Sequence, residues 1–256
     1  MPVLIEAVRN IRKWPARLFL SSATDPFHPL VLGLAEELLH RALRAGTFVI
    51  ISTKALATLG IVKLLSEYRG QVSYTVSLSS LDEERNCILE PKAASAMERL
   101  HGRREDGEIT FCGIEQLAQK GIHITLKADT LFPGIDDAEE SIMSLLEEAK
   151  RAGVEAVTFS YAFYRNKFKR KLASVPFLRD SLAAMSESQP IASGTGYSLP
   201  LMEKRTRLLA MARMAEAMGF DIISTCRCKN QIDGQIDGIP EDSALRLTCH
   251  FHDGWF

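Results

Sequence analysis

No stretch of this sequence reaches the ~18 consecutive apolar residues of a membrane-spanning helix. The opening Met1-Pro2-Val3-Leu4-Ile5-Glu6-Ala7-Val8-Arg9 lacks the basic-then-apolar order of a secretory leader. The expectation is a cytoplasmic protein. Charge of one sign is also missing. The 31 Lys and Arg stand against 32 Asp and Glu, a formal net charge of -1. That leaves no overall electrostatic footprint for nucleic acid, although a balanced chain still admits a local basic groove. Cysteines are few and odd in number, five in 256 residues, which argues against a secreted disulfide framework. No short repeat or low-complexity stretch stands out. What remains, 46% hydrophobic and 25% charged, is enough for one sizeable core.

Strand-like runs at 17–22, 47–52, 72–78, 122–128, 155–161 and 221–224 alternate with helical periods at 30–45, 55–68, 138–152 and 201–218. Gly46, Gly121 and Gly153 stand at helix-stop positions just before three of the strands. Repeated βα order predicts an α/β fold with a parallel sheet closed or partly closed into a barrel. Right-handed crossovers then place the strand C-terminal ends, and any site, on one face. The stretch 188–200, rich in Ser, Gly and Pro, reads as a loop, either a lid or a linker. The expected division is a barrel over 1–187 and a C-terminal extension with a cysteine-containing tail over 188–256.

Polar residues collect where the strands finish: Thr24-Asp25-Pro26, Ser52-Thr53-Lys54, Ser77-Leu78-Ser79, and the run from Asp129 through Pro133-Gly134 to Asp137. In a parallel barrel they would converge on one mouth, as a small-molecule site requires. The plainer reading is ordinary loop polarity, with Thr24-Asp25 as a helix cap and Pro26 at the first helical position.

The order of these landmarks is more specific than any one of them. Ser21-Ser22-Ala23-Thr24-Asp25-Pro26-Phe27-His28-Pro29, Thr53-Lys54, Ser77-Leu78-Ser79, Leu89-Glu90-Pro91 with Arg99-Leu100, and Pro133-Gly134-Ile135-Asp136-Asp137 follow one another along the chain. This series resembles the spore-photoproduct-lyase-like branch of the radical S-adenosylmethionine (SAM) proteins, over about Leu18 to Tyr161. The resemblance implies a partial (βα) barrel of TIM-like type that binds SAM. Lys54 would meet the SAM carboxylate, with Asp25 positioning Lys54 or a substrate amine beside Thr24. Ser77 and Ser79 would meet the ribose or carboxylate, and Pro133-Gly134 the adenine. Glu90 and Arg99 would form a structural ion pair. The pattern departs at Asp129, where proline is usual, and at Asp136, where asparagine is usual. No cysteine here is matched to the hydrogen-atom donor of the photoproduct lyases, and Ser22 is a poor substitute.

The family also carries a CxxxCxxC loop, whose thiolates hold a [4Fe-4S] cluster. No such loop precedes Leu18. The expectation is an N-terminally shortened lyase-like radical SAM protein without its first βα unit. A bared sheet edge would then need an upstream segment or a partner chain to supply the strand. The parent activity would be reductive SAM cleavage and radical chemistry on an unknown substrate. The alternative is a non-catalytic barrel that binds SAM, a nucleotide or a partner. A third reading is an aldolase-like barrel with Lys54 or Lys127 as Schiff-base lysine.

Cys226, Cys228 and Cys249, with His250 or His252, offer donors for zinc or an auxiliary iron–sulfur cluster, or are simply reduced structural thiols. The basic run Arg165-Asn166-Lys167-Phe168-Lys169-Arg170-Lys171 follows Tyr161, Phe163 and Tyr164. It reads either as a nucleic-acid contact or as a solvated helix face.

Overall fold

A computed structural model describes residues 2–20, 25–191, 194–226 and 245–248. Its described strands are β1 (Arg17–Leu20), β2 (Phe48–Thr53), β3 (Val72–Ser77), β4 (Arg103–Glu105), β5 (Glu108–Phe111), β6 (His123–Leu131), β7 (Ala156–Tyr161), β8 (Phe163–Tyr164), β9 (Ser186–Ile191), β10 (Gly194–Ser198), β11 (Ile222–Cys226) and β12 (Leu245–Thr248). The α-helices are α1 (Pro2–Arg9), α2 (Leu32–Arg44), α3 (Leu59–Glu67), α4 (Glu83–Leu89), α5 (Ala96–His101), α6 (Ile114–Ala118), α7 (Glu139–Arg151), α8 (Asn166–Ala173), α9 (Arg179–Ala183) and α10 (Leu201–Ala217).

The chain forms two compact units. The first comprises 1–77, 81–126 and 148–155. Its strands run in the order β1-β2-β3-β6. Arg17 faces Phe48 and Val49 faces Val72 in parallel register. Strand β1 is outermost, with β2 as its one neighbour among the described residues. The core is built as the periodicity predicts: α2 buries Ala35, Leu39, Ala42 and Leu43, and α3 buries Ile61, Val62, Leu64 and Leu65. Thr58 caps α3 by accepting the Ile61 N–H at 3.2 Å. Ser95 and Glu98 form a capping box on α5. Helix α2 is not capped by Asp25; its N-cap is Val31, because a turn over 26–31 separates Asp25 from the helix.

The second unit comprises 78–80, 127–147 and 156–256. Its strands run from the end of β6 through β7 and β11 to β12. Ala156 pairs with Ile222 and Ile223 with Leu245, again in parallel. Every residue of β7 is buried, as expected of a parallel strand covered on both faces. Strand β6 continues to Leu131, so Asp129 and Thr130 belong to a strand and not to the loop expected there.

The stretch 188–200 also departs from the loop expectation. Strands β9 and β10 form an antiparallel pair, and β10 pairs with β8. Gly196 permits this: a Cβ there would stand 2.5 Å from the Tyr164 carbonyl oxygen. The glycine that suggested a loop instead allows close strand approach. No described helix is long and apolar enough to cross a membrane.

Candidate functional site

In the first unit, the end of β2 is held by one carboxylate. Asp25 Oδ2 accepts the Lys54 N–H at 2.7 Å. The Thr53 hydroxyl contacts both Asp25 oxygens, at 2.7 and 2.9 Å. The Phe27 N–H donates to Oδ1 at 2.9 Å. The Thr53 oxygen in turn accepts the Ala55 N–H at 2.9 Å. Asp25 thus fixes the Thr53-Lys54 step through the backbone and a hydroxyl. Asp25 meets Lys54 at its backbone N–H, and the ammonium goes elsewhere.

That ammonium pairs with Glu90 Oε1. Glu90 Oε2 lies 3.0 Å from Arg99 Nη2. Arg99 is only 2% exposed. Its Nε donates to the Ala94 carbonyl at 2.6 Å and its Nη1 to the Ser77 carbonyl at 2.7 Å. The expected Glu90–Arg99 pair is present and does more than link two side chains. A buried guanidinium needs a counter-charge and acceptors for its N–H groups, and here they come from the end of β3 and from the segment leading into α5. Lys54 completes a cation–anion–cation chain that the sequence pattern did not reveal.

Ser77 is buried, and its carbonyl serves Arg99 while its hydroxyl makes no hydrogen bond among the described residues. Thr24 lies outside the described residues. A cavity of about 410 Å³ opens beside Lys54, with Asp25, His28, Glu90 and Lys92 among its polar lining. Pro29, Leu89 and Pro91 supply apolar wall.

In the second unit, Ser79 is half-buried. Pro133 is buried and Gly134 exposed, with φ +76°. Two carboxylates shape this loop. Asp136 Oδ2 accepts the Phe132 N–H at 2.8 Å. Asparagine can make the same bond, so the departure at Asp136 leaves the loop intact. Asp137, its side chain 2% exposed, accepts the Gly134 N–H at 2.5 Å, the Tyr161 hydroxyl at 2.6 Å and Arg207 Nη1 at 2.7 Å. Burial, and then the bond to Asp137, push the Tyr161 phenol well above its usual range. Burial lowers the Arg207 guanidinium, but the bonds to Asp137 and Glu203 outweigh it and hold the group above its usual value. The D-D step was legible only as a pattern match. The partners Tyr161 and Arg207 carried no local signal because they are distant in sequence.

Lys127 pairs with Asp129 at 2.9 Å, so its ammonium is engaged within the protein. In the basic run, Lys169 Nζ sits 4.3 Å from the centre of the Tyr197 ring, which stacks on Tyr164. No residue of α8 is buried.

Among the described residues no group of three His, Cys, Asp or Glu side chains could hold a metal. Cys87 is exposed and Cys112 buried, and burial pushes the Cys112 thiol up. Cys226 is described only as backbone in β11. Cys228, Cys249, His250 and His252 lie outside the described residues. Ligands for a [4Fe-4S] cluster are therefore not found among the described residues.

No family model matches the chain. It is similar to an uncharacterized protein, ORF301, of Acidianus two-tailed virus: 28% identity over 158 residues, 59% of this chain and 49% of the relative. Among solved structures it is similar to a spore photoproduct lyase double mutant with bound AdoMet and dinucleoside spore photoproduct. There the TM-score is 0.59 and the identity 14%, covering 86% of this chain and 63% of that one. A spore photoproduct lyase complexed with dinucleoside spore photoproduct gives a TM-score of 0.57 and 15% identity over the same shares. The chain spans about half the length of the curated relative and less than two thirds of the solved ones. These likenesses show the fold: mixed α/β with a parallel sheet, like the partial TIM-type barrel of radical SAM enzymes.

Proposed function

We propose that this chain is a radical SAM-type protein of the spore-photoproduct-lyase-like branch that binds SAM, with Lys54 meeting the carboxylate. The observation that carries the reading is the Asp25 clamp on Thr53-Lys54, which fixes a lysine at the end of β2 beside a cavity. The fold likeness to a lyase whose solved structure holds AdoMet supports it. Ser77 and Ser79 as ribose or carboxylate contacts and Pro133-Gly134 as the adenine contact rest on the resemblance, as does the division at 187/188. The parent activity in this reading is reductive cleavage of SAM followed by radical chemistry. A [4Fe-4S] cluster would supply the electron, its ligands coming from outside the described residues, from an upstream segment or from a partner chain.

The test is titration calorimetry of the purified chain with SAM, followed by cluster reconstitution and a dithionite assay for 5'-deoxyadenosine. Saturable binding is expected, weakened by about tenfold or more in Lys54→Met, since a hydrogen bond to a charged group is worth about 1.5–3 kcal/mol. No binding at millimolar SAM sinks the reading. Binding without 5'-deoxyadenosine leaves a non-catalytic SAM-binding barrel.

A further inference from the structure

The cavity beside Lys54 has an uneven hydrogen-bonding balance. Its acceptors are largely spent within the protein. Asp25 takes the Phe27 and Lys54 N–H groups and the Thr53 hydroxyl. Glu90 gives one oxygen to Lys54 and the other to Arg99. Its donors are not spent. An ammonium carries three N–H groups, and Lys54 commits one to Glu90. Lys92 is exposed on the cavity wall and makes no hydrogen bond or ion pair among the described residues.

The remaining donor is His28. Its Nδ1 accepts the Leu30 N–H at 3.3 Å. An imidazole nitrogen that accepts bears no proton, so in this geometry the proton sits on Nε2. Nε2 has no partner among the described residues, and His28 lines the cavity. The short turn after Asp25 therefore does two things. Asp25 fixes Lys54, and the Leu30 N–H fixes the tautomer and ring orientation of His28. The T-D-P-[YF]-x-P pattern leaves the His28 position open, so the resemblance assigns this residue nothing.

We infer that His28 is a ligand-contacting, specificity-determining donor that acts with Lys54 and Lys92 to receive an anionic group, a carboxylate or a phosphate. A cavity with spent acceptors and unspent donors selects an acceptor-rich ligand, and the Pro29, Leu89 and Pro91 walls suit an apolar body attached to it. The ligand anion takes up the free Lys54 N–H groups, while Glu90 stays in place because buried Arg99 requires it. The inference builds on the reading of Lys54 as an anion-binding group. Its test uses simple anions, so that it does not depend on SAM.

The test is ¹⁵N-histidine NMR of the chain at fixed pH and constant ionic strength, titrated separately with acetate and with inorganic phosphate against a chloride control. The His28 ring signals are assigned by their loss in His28→Gln. Saturable movement of those signals is expected, with midpoints raised about tenfold in Lys54→Met. Movement with acetate alone marks a carboxylate ligand, and movement with phosphate alone marks a phosphoryl ligand. If neither anion moves His28 beyond the chloride control in the wild-type chain, the inference is overturned. Failure to bind SAM alongside a saturable anion response overturns the proposed function and leaves this inference standing.

Discussion

The Asp25 carboxylate and the Lys54 backbone N–H, 29 positions apart in sequence, meet at 2.7 Å. The two residues are joined through the main chain, and the lysine side chain is left to Glu90. The acid therefore sets where the lysine stands without neutralising its ammonium. Asp25→Ala should unfold about 2–4 kcal/mol more easily in urea, because the substitution strands the Thr53 hydroxyl and two N–H donors in a part-buried site. Asp25→Asn should recover part of that loss, since its amide oxygen still accepts. Equal midpoints for Asp25→Ala and wild type would show that the clamp contributes nothing.

Arg99 is the costliest single charge to disturb in the first unit. Arg99→Leu leaves Glu90 Oε2 and the Ser77 and Ala94 carbonyls without the guanidinium donors, and breaking a buried pair costs about 3–5 kcal/mol. The double variant Arg99→Leu/Glu90→Leu should be less destabilised than Arg99→Leu alone, because no carboxylate oxygen is then left facing the lost guanidinium unpaired. Additive urea midpoints across this cycle would refute the coupling.

The strand–helix alternation was legible because buried parallel strands are near-continuous apolar runs and their flanking helices keep a clean period. The three glycines expected to end helices all adopt positive φ, between +73° and +86°. The β4–β5 hairpin is not legible in the sequence although Asp106-Gly107 is a strong turn signal. Its strands are too short and too charged to show alternation, with all of β4 exposed. Strands β9 and β10 were hidden for the opposite reason. Glycine and serine read as loop residues, yet at Gly196 the missing side chain is what the pairing needs.

The site was legible as a set of positions and much less as a set of bonds. Asp25, Lys54, Glu90, Arg99 and Asp137 all stood in quoted motifs. The partnerships Lys54–Glu90, Arg99–Ser77 carbonyl and Asp137–Arg207 join residues 36, 22 and 70 positions apart. No local periodicity reports such contacts. His28 could have been found only by asking what holds its ring, and the answer is a backbone N–H two residues on.

Cysteine reactivity separates the two described thiols. Cys87 is exposed on α4 and Cys112 is 1% exposed. Burial raises the Cys112 thiol, which lowers its thiolate fraction as well as its access. Brief iodoacetamide treatment followed by peptide mass mapping should label Cys87 and spare Cys112 until urea unfolds the chain. Equal labelling of both in the native protein would place Cys112 outside the core.

Stability should fall in alkali, and two tyrosines should account for much of the slope. Tyr161 is raised by burial first and then by its bond to Asp137, and Tyr74 by burial first and then by the charge of Asp25. In the unfolded chain each phenol ionises near pH 10, while in the folded chain it stays protonated. Above that pH the native state holds more protons than the unfolded state, so the free energy of unfolding decreases with pH, by up to about 1.4 kcal/mol per unit for each such group. The contribution is whole below pH 10 and is lost as pH rises toward the folded value. Urea unfolding at pH 8 to 11 should show this decline. Tyr161→Phe should start about 1.5–3 kcal/mol lower at pH 8, having lost one hydrogen bond to a carboxylate, and should decline less steeply, as should Tyr74→Phe. If Tyr161→Phe and Tyr74→Phe both keep the full wild-type slope, the alkaline loss belongs to other groups and these two phenols are not held protonated by the fold.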